Sequence, residues 1–422
     1  MNKTMMILIV VLLAFPLSVF ATGAPEEGGS ITLTIAGRDG AYGDAMQLAA
    51  DEYSKLNPDV SFEILKLSGS SLFEKSVIDM KSGVGTYDLV LIDDPNVTQI
   101  QKAGWLADLG AMYDERSISL DSDFIPTLTK LGRYPYSDDG TLYALPLVGN
   151  VELFAYRKDL LDKYGLGAPD TWDKVLAAAE TLSANEPDIF PVLFRGSKGN
   201  PIVTGFLPLF WAFGGSILVD ERPAMDSPEA LAALEFFLEL AQYAPEGVSM
   251  YQSAQVKDAL YSGKGAMAIE VWPGWIKNLD NPEESAVVGK VIVTKHPAQV
   301  EKSSPMIGVW LAGIPEASQK KAAAFDFLQF LTSAEMQAQM ADATGIPPTR
   351  TSVHGISSLV EKYAWYPAQL DGLRNGVPRP RTNKWKEIEE ALGTYLQLAL
   401  IGEMSAREAL EEVNAKIGEI VE

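Results

Sequence analysis

Cysteine is absent from the 422-residue chain. That excludes disulfides, thiolate metal sites, a thiol nucleophile and an acylated cysteine at the start of an exported chain. Histidine is almost absent too, with only His296 and His354, so a histidine-based metal centre or nucleophile-base pair has little to draw on. Both are expected to be ordinary surface or loop histidines. Positive charge is scarce: 34 Lys plus Arg face 56 Asp plus Glu, for a net charge of −22, and nucleic acid is not an expected partner. After the first twenty residues no apolar run is long enough to span a membrane. No Gly-x-x-x-x-Gly-Lys-Ser/Thr loop occurs. The match "GKGAMA" at Gly263 to the dinucleotide fingerprint lies between a helix and a strand, the reverse of the order that mechanism needs, and Gly263 reads as a helix end. "DSD" at Asp121 has Pro126 and Gly132 where a calcium loop requires Gly and Glu. No cofactor and no metal are expected.

What the chain does have begins with "MNKTMMILIVVLLAFPLSVFA", a run carrying Lys3, an apolar stretch and small residues at Val19 and Ala21. It reads as a secretory signal peptide over residues 1–21. The apolar part from Met5 to Phe20 is shorter than the roughly 20 residues of a spanning helix, and Pro16 interrupts it. Residues 22–29 follow as a flexible leader with no apolar pattern. The expected product is a soluble periplasmic protein, not a lipoprotein. Even without the leader it exceeds the roughly 250 to 300 residues at which one core stops growing, so two domains or lobes are expected.

"ITLTI", "VSFEIL" and "YDLVLIDD" read as strands separated by helical patterns, the first of which stops at Asn57-Pro58. This β-α-β-α-β order implies an open α/β lobe, with the third strand covered on both faces. Ligands of such sheets bind at the carboxyl ends of strands, which places Arg38, Asp39, Asp93 and Asp94 in candidate binding loops. The middle of the chain is helical, with caps at Thr171 and at Ser227-Pro228. Strand signals return in "GAMAIEV", in "VGKVIV" and in the apolar run "PMIGVWLAGI". The tail is mostly helical, and its last helix opens with the capping box of Ser405 and Glu408.

Acids could supply the carboxylate pair of a glycosidase, from Asp93, Asp94, Glu152 or Glu270, but with 56 acids such pairs arise by chance. The tryptophans are more informative. Trp272, Trp275, Trp310 and Trp385 stand at predicted strand ends, segment junctions or helix starts, where a packed loop anchor and a ligand wall are both open readings. An indole flanked by Asp, Asn and Arg suits a sugar, whose C–H face is apolar and whose hydroxyls need polar partners.

"LYALPLVGNVELFAYRKDLLDKYGLGAPDTWDKV" resembles a junction in extracellular solute-binding family 1, the periplasmic sugar-binding proteins of ABC importers that include maltose-binding protein. Supporting segments run in the family's order: "LAADEYSKLNPDVSFEI", "YDLVLIDDPN…AGWLADL", "YSGKGAMAIEVWPGW", "PMIGVWLAGIPEASQKKAAAFDFLQFLTSAEMQAQMADATGIPPTR" and "RPRTNKWKEIEEAL". The resemblance implies a two-lobed type II periplasmic-binding-protein fold, each lobe an open, mostly parallel α/β sheet flanked by helices, with ligand between the lobes. The implied N-terminal lobe comprises 30–147 and 311–347 and the C-terminal lobe 151–307 and 348–422, with crossovers near 148–150, 308–310 and 345–350. In the family, the position after the first crossover carries a polar sugar contact, which maps to Asn150, with Glu152 two residues on. The aromatic after the small-residue strand maps to Trp272 or Trp275, the register leaning to Trp275, and the second crossover's aromatic maps to Trp310.

The implied function is to bind a carbohydrate and deliver it to an ABC permease, as a monomer without chemistry of its own. The alternatives are a polyol or other non-sugar solute, a sensory module docking on a receptor, and a secreted glycosidase or lyase.

Overall fold

The computed structural model describes residues 30–422. The predicted signal peptide and leader lie outside the described residues. Eleven strands organise the fold: β1 (Ile31–Arg38), β2 (Val60–Leu67), β3 (Leu89–Asp93), β4 (Ala144–Val148), β5 (Leu153–Arg157), β6 (Phe190–Leu193), β7 (Gly265–Val271), β8 (Val291–Thr294), β9 (Met306–Ile307), β10 (Trp310–Gly313) and β11 (Val377–Pro378). They form one sheet in the order β2-β1-β3-β10-β4, a second in the order β8-β5-β7-β6, and a short β9-β11 pair.

The first three strands form the predicted parallel unit, β1 pairing with both β2 and β3. Leu89 to Ile92 in β3 are all buried, as a strand covered on both faces requires. Helix α1 (Ala41–Leu56) leaves β1 through Gly40, whose φ of 64° suits the turn from strand into helix. It ends where Asn57 N–H bonds to Tyr53 O, one residue before Pro58. Helix α2 (Gly69–Ser82) links β2 to β3.

The strands beside the crossovers are antiparallel: β10 runs against both β3 and β4, and β5 runs against both β7 and β8. Each of the two sheets is therefore mixed, and the mostly parallel order holds for β2-β1-β3 and for the β6/β7 pair. The cause is the chain's path, since it leaves the first sheet after β4, builds the second, and comes back as β10. The apolar run "PMIGVWLAGI" is accordingly two strands, β9 and β10, broken at Gly308-Val309. Residues 345–350 lie beside the first crossing, with Gly149 N–H bonded to Pro347 O at 2.8 Å and Thr349 Oγ1 to Pro146 O at 2.9 Å.

Strand β5 alternates between two packing environments. Leu153 and Ala155 join the cluster that includes the first sheet, while Phe154 and Tyr156 pack with Trp172, Phe206 and Phe237 on the opposite side. The predicted caps form: Thr171 Oγ1 accepts from Lys174 N–H, Ser227 Oγ from Ala230 N–H, and Ser405 and Glu408 close the capping box. They start helices α3 (Trp172–Asn185), α4 (Pro228–Ala241) and α5 (Ala406–Val421).

The expectation of surface or loop histidines fails for exposure only: His296 lies in the loop after β8 and His354 in a single short turn, yet both are buried. His296 is 1% exposed and His354 4%, so neither is a surface histidine. His296 Nε2 lies 2.9 Å from Ile269 O and His354 Nδ1 2.9 Å from Arg350 O, backbone partners that allow a neutral ring to be buried. Among the described residues no helix is long and apolar enough to cross a membrane.

Candidate functional site

The carboxyl ends of β1 and β3 and the end of β7 converge on a cavity of about 420 Å³ between the two sheets. On the first-sheet side its walls are Arg38, Asp39, Tyr42, Asp93 and Trp310; on the other side they are Arg195, Asn200, Thr204, Trp272 and Trp275. Asn150 and Gly308 enter from the two crossovers, and Arg379 from the segment after β11. Three larger cavities, of about 930, 790 and 550 Å³, touch none of the candidate residues.

On the first wall, the Arg38 guanidinium lies 4.8 Å from the Trp310 ring centroid and 5.5 Å from that of Tyr42, and the two rings meet edge to face at 6.0 Å. Its nearest carboxylate, Asp39, is 3.9 Å from Nε. Burial pushes the Tyr42 hydroxyl up to about 12, so it remains protonated at neutral pH.

The opposite wall is organised by Glu270, which is fully buried in β7. Its Oε1 accepts from Arg195 Nε at 2.8 Å, from Arg195 Nη2, and from the Trp272 indole N–H at 2.9 Å, with Thr204 Oγ1 at 3.1 Å. Arg195 Nη2 also donates to Thr204 Oγ1 at 2.5 Å. The other edge of Trp272 abuts Gly308, where a Cβ would come within 2.6 Å of the ring; only glycine permits this packing. Trp275 meets Trp272 at 64° with centroids 6.5 Å apart, and the Arg195 guanidinium lies 5.2 Å from the Trp275 ring centroid.

Between the walls, Arg379 Nη2 donates to Asp93 Oδ1 at 3.0 Å and Asp94 Oδ1 at 2.6 Å, while Arg381 Nη1 donates to Asp94 O at 2.7 Å and approaches Asp94 Oδ2 at 3.3 Å. Burial pushes Asp94 up to about 6 against the pull of Arg379, which leaves it ionised at neutral pH.

Seven of the ten candidate residues therefore line one cavity: Arg38, Asp39, Asp93, Asn150, Trp272, Trp275 and Trp310. Among the described residues, buried Asn150 Oδ1 has no hydrogen-bond partner. Asp94 and Glu152 are fully buried and do not line it. Glu152 Oε1 is 3.4 Å from His296 Nε2, but this is not an ion pair at neutral pH: burial, then the Glu270 charge, holds Glu152 well above the carboxylate range, and burial pulls His296 down to about 3. Trp385 lines an adjoining cavity of about 390 Å³, reached past Arg38, Asp93, Trp310 and Arg379, which border both spaces.

Sequence reasoning did not nominate Arg195, Asn200, Thr204, Tyr42 or Arg379, and weighed Glu270 only as a chance acid. The available signal was Glu270 itself, a lone charge inside the apolar strand "GAMAIEV" that burial would force to find a cationic partner.

Residues 39–338 match the family model described as bacterial extracellular solute-binding protein. The chain belongs to this family. Family members are substrate-binding proteins of ABC transporters, not enzymes. The mannitol-binding protein of Pseudomonas aeruginosa is 26% identical to this solute-binding protein over 409 residues, covering 90% of this chain and 91% of its own. Among solved structures, a maltose-bound protein of T. maritima is 27% identical with a TM-score of 0.79, over 92% of this chain and 98% of that one. A ribitol complex from Agrobacterium radiobacter is 25% identical with a TM-score of 0.81, over 93% and 100%. These neighbours share the two-lobed architecture.

Proposed function

We propose that this protein is the periplasmic component of an ABC importer that holds a carbohydrate or polyol between two lobes and passes it to a membrane permease. The lobes are read as 30–147 with 311–347, and 151–307 with 348–422. The observation that carries the reading is the cavity itself, in which indole rings stand beside Arg, Asp and Asn side chains. Apolar faces suit C–H surfaces, and fixed donors and acceptors suit hydroxyls. Its volume falls in the lower part of the roughly 300–1,000 Å³ range of small-molecule sites, which favours a short solute. The adjoining space at Trp385 would take a second unit. The mannitol and ribitol binders among the neighbours support keeping polyols beside sugars.

A thermal-shift screen against maltose, D-mannitol, ribitol and D-tagatose tests this. A solute that binds only the folded state at about 100 times its dissociation constant adds about 2.7 kcal/mol and should raise the melting temperature by a few degrees. No shift with any of the four would sink the reading.

Within this reading Trp272 is the stacking platform. Both its edges are anchored, at Glu270 and Gly308, whereas Arg195 already lies over Trp275. Trp272→Ala should weaken the best binder of that panel by a factor of about 5 to 150, equivalent to about 1 to 3 kcal/mol. Trp275→Ala should weaken it less. Calorimetric titration of both variants checks the order, and the reverse order would assign the platform to Trp275.

A further inference from the structure

Three arginines line the cleft, and each has a carboxylate beside it. Asp94 and Asp93 bind Arg379, Asp39 flanks Arg38, and Glu270 binds Arg195 through two guanidinium nitrogens. Glu270 differs from the others in its position. It is fully buried and lies behind the wall, so it reaches a solute only through the groups it holds.

Two consequences follow from that placement. Glu270 takes the only polar hydrogen of the Trp272 indole, so this ring offers the cavity an apolar face and no donor. It also engages Nε and Nη2 of Arg195, leaving Nη1 as the guanidinium nitrogen without an acceptor among the described residues. The pair presents a hydrogen-bond donor with its charge cancelled at short range. A hydroxyl or ring oxygen can use that donor. A carboxylate finds no net positive charge at Arg195, and it also meets the exposed Asp39 and the half-buried Asp93.

We propose that Glu270 makes the cleft select neutral solutes over anionic ones, by neutralising Arg195 from behind the binding wall. This rests on the sugar or polyol reading of the site. Glu270 is thus a positioning residue that acts through Arg195 and Trp272, and its removal would unmask a cation facing the solute.

The experiment compares matched neutral and anionic probes by titration calorimetry at low salt: D-glucose with D-glucuronate, D-galactose with D-galacturonate, and D-mannitol with D-gluconate. The parent should bind the neutral member of at least one pair more tightly. Glu270→Gln keeps the side-chain volume and one acceptor but removes the charge. The ratio of anionic to neutral dissociation constants should then fall by about tenfold or more. Adding Arg195→Met should return the ratio towards the parent value, an outcome that general loosening of the wall would not produce. If Glu270→Gln does not fold, Asp39→Asn tests the same logic from an exposed position, because it unmasks Arg38 and should move the ratio in the same direction. A parent that prefers the anionic member, or a ratio unchanged in the variants that fold, overturns the inference and leaves the sugar reading standing. A parent that binds neither member of any pair overturns the inference, and it overturns the sugar or polyol reading as well only when the thermal-shift panel also gives no shift.

Discussion

Replacing Glu152 by Gln is expected to raise the unfolding free energy at pH 8, with the gain shrinking as the pH falls. Both carboxyl oxygens of Glu152 are buried without a hydrogen-bond partner among the described residues, and burial together with the Glu270 charge holds this acid well above its ordinary range. The folded state therefore keeps a proton that the unfolded chain releases. Stability linked to this group is fully present below the unfolded pKa of about 4.3 and is lost as the pH rises towards the folded value, by about 1.4 kcal/mol per pH unit. Gln carries no such proton, so the variant lacks the slope. Its neighbour His296 has the opposite sign. Burial pulls that ring down to about 3 from 6.5, so its contribution is fully present above 6.5 and is lost as the pH falls towards 3. In the parent the two slopes oppose each other between about pH 4.3 and 6.5. Single variants should separate them: Glu152→Gln removes the loss at high pH, and His296→Gln, which retains a donor for Ile269 O, removes the loss at low pH. Urea unfolding between pH 4 and 8 reads both. Parallel stability-pH curves for the parent and Glu152→Gln would show that Glu152 is ionised in the fold.

The same pair shows where sequence reasoning stopped. The β1-α1-β2-α2-β3 unit was legible because its periodicity is local, a half-buried strand and then an amphipathic helix closed by Asn57-Pro58. Capping at Thr171, Ser227 and Ser405 was legible for the same reason, since each cap oxygen and the backbone N–H that donates to it lie three residues apart. Strands β5 and β6 were missed. "LFAYR" and "FPVL" are short apolar runs that periodicity alone cannot tell from buried helix, and they become strands by pairing with β7 and, for β5, also with β8, all more than seventy residues later. The run "PMIGVWLAGI" reads as one apolar segment, and although the resemblance implies a crossover near 308–310, its division into β9 and β10 is visible only in the structure, because nothing in that run marks where the chain changes sheets. His296 and His354, expected at surface or loop positions, are buried by neighbours distant in the chain, Trp172 beside His296 and Tyr366 beside His354, which no local pattern announces. The cavity shows the same limit. Strand ends and junction tryptophans supplied six lining residues and the resemblance supplied Asn150, but Arg195, Thr204 and Arg379 are brought in by contacts across 75, 66 and 286 positions.

Arg379→Met is expected to destabilise the protein by about 3 to 5 kcal/mol and to weaken solute binding as well. Arg379 is 4% exposed, follows the short pair between β9 and β11, and precedes the helix Trp385–Leu400, yet its guanidinium reaches across to the carboxyl end of β3. Burial alone would pull Arg379 down, but the Asp94 and Asp93 charges outweigh it and hold the guanidinium above its ordinary range. Methionine fills similar space and leaves Asp94 buried with Arg381 as its remaining cation. An uncompensated buried charge costs far more than the intact pair contributes, so Asp94→Asn in the same background should recover part of the loss. Arg381→Met provides the contrast. Arg381 also binds Asp94 and donates to Leu131 O at 3.1 Å, but it does not line the 420 Å³ cavity. It should lower stability while leaving solute affinity nearly unchanged. Urea unfolding and titration with the best binder of the thermal-shift panel separate the two arginines. Equal affinity losses in both variants would mean that the network acts by holding the sheets together, and that Arg379 does not touch the solute.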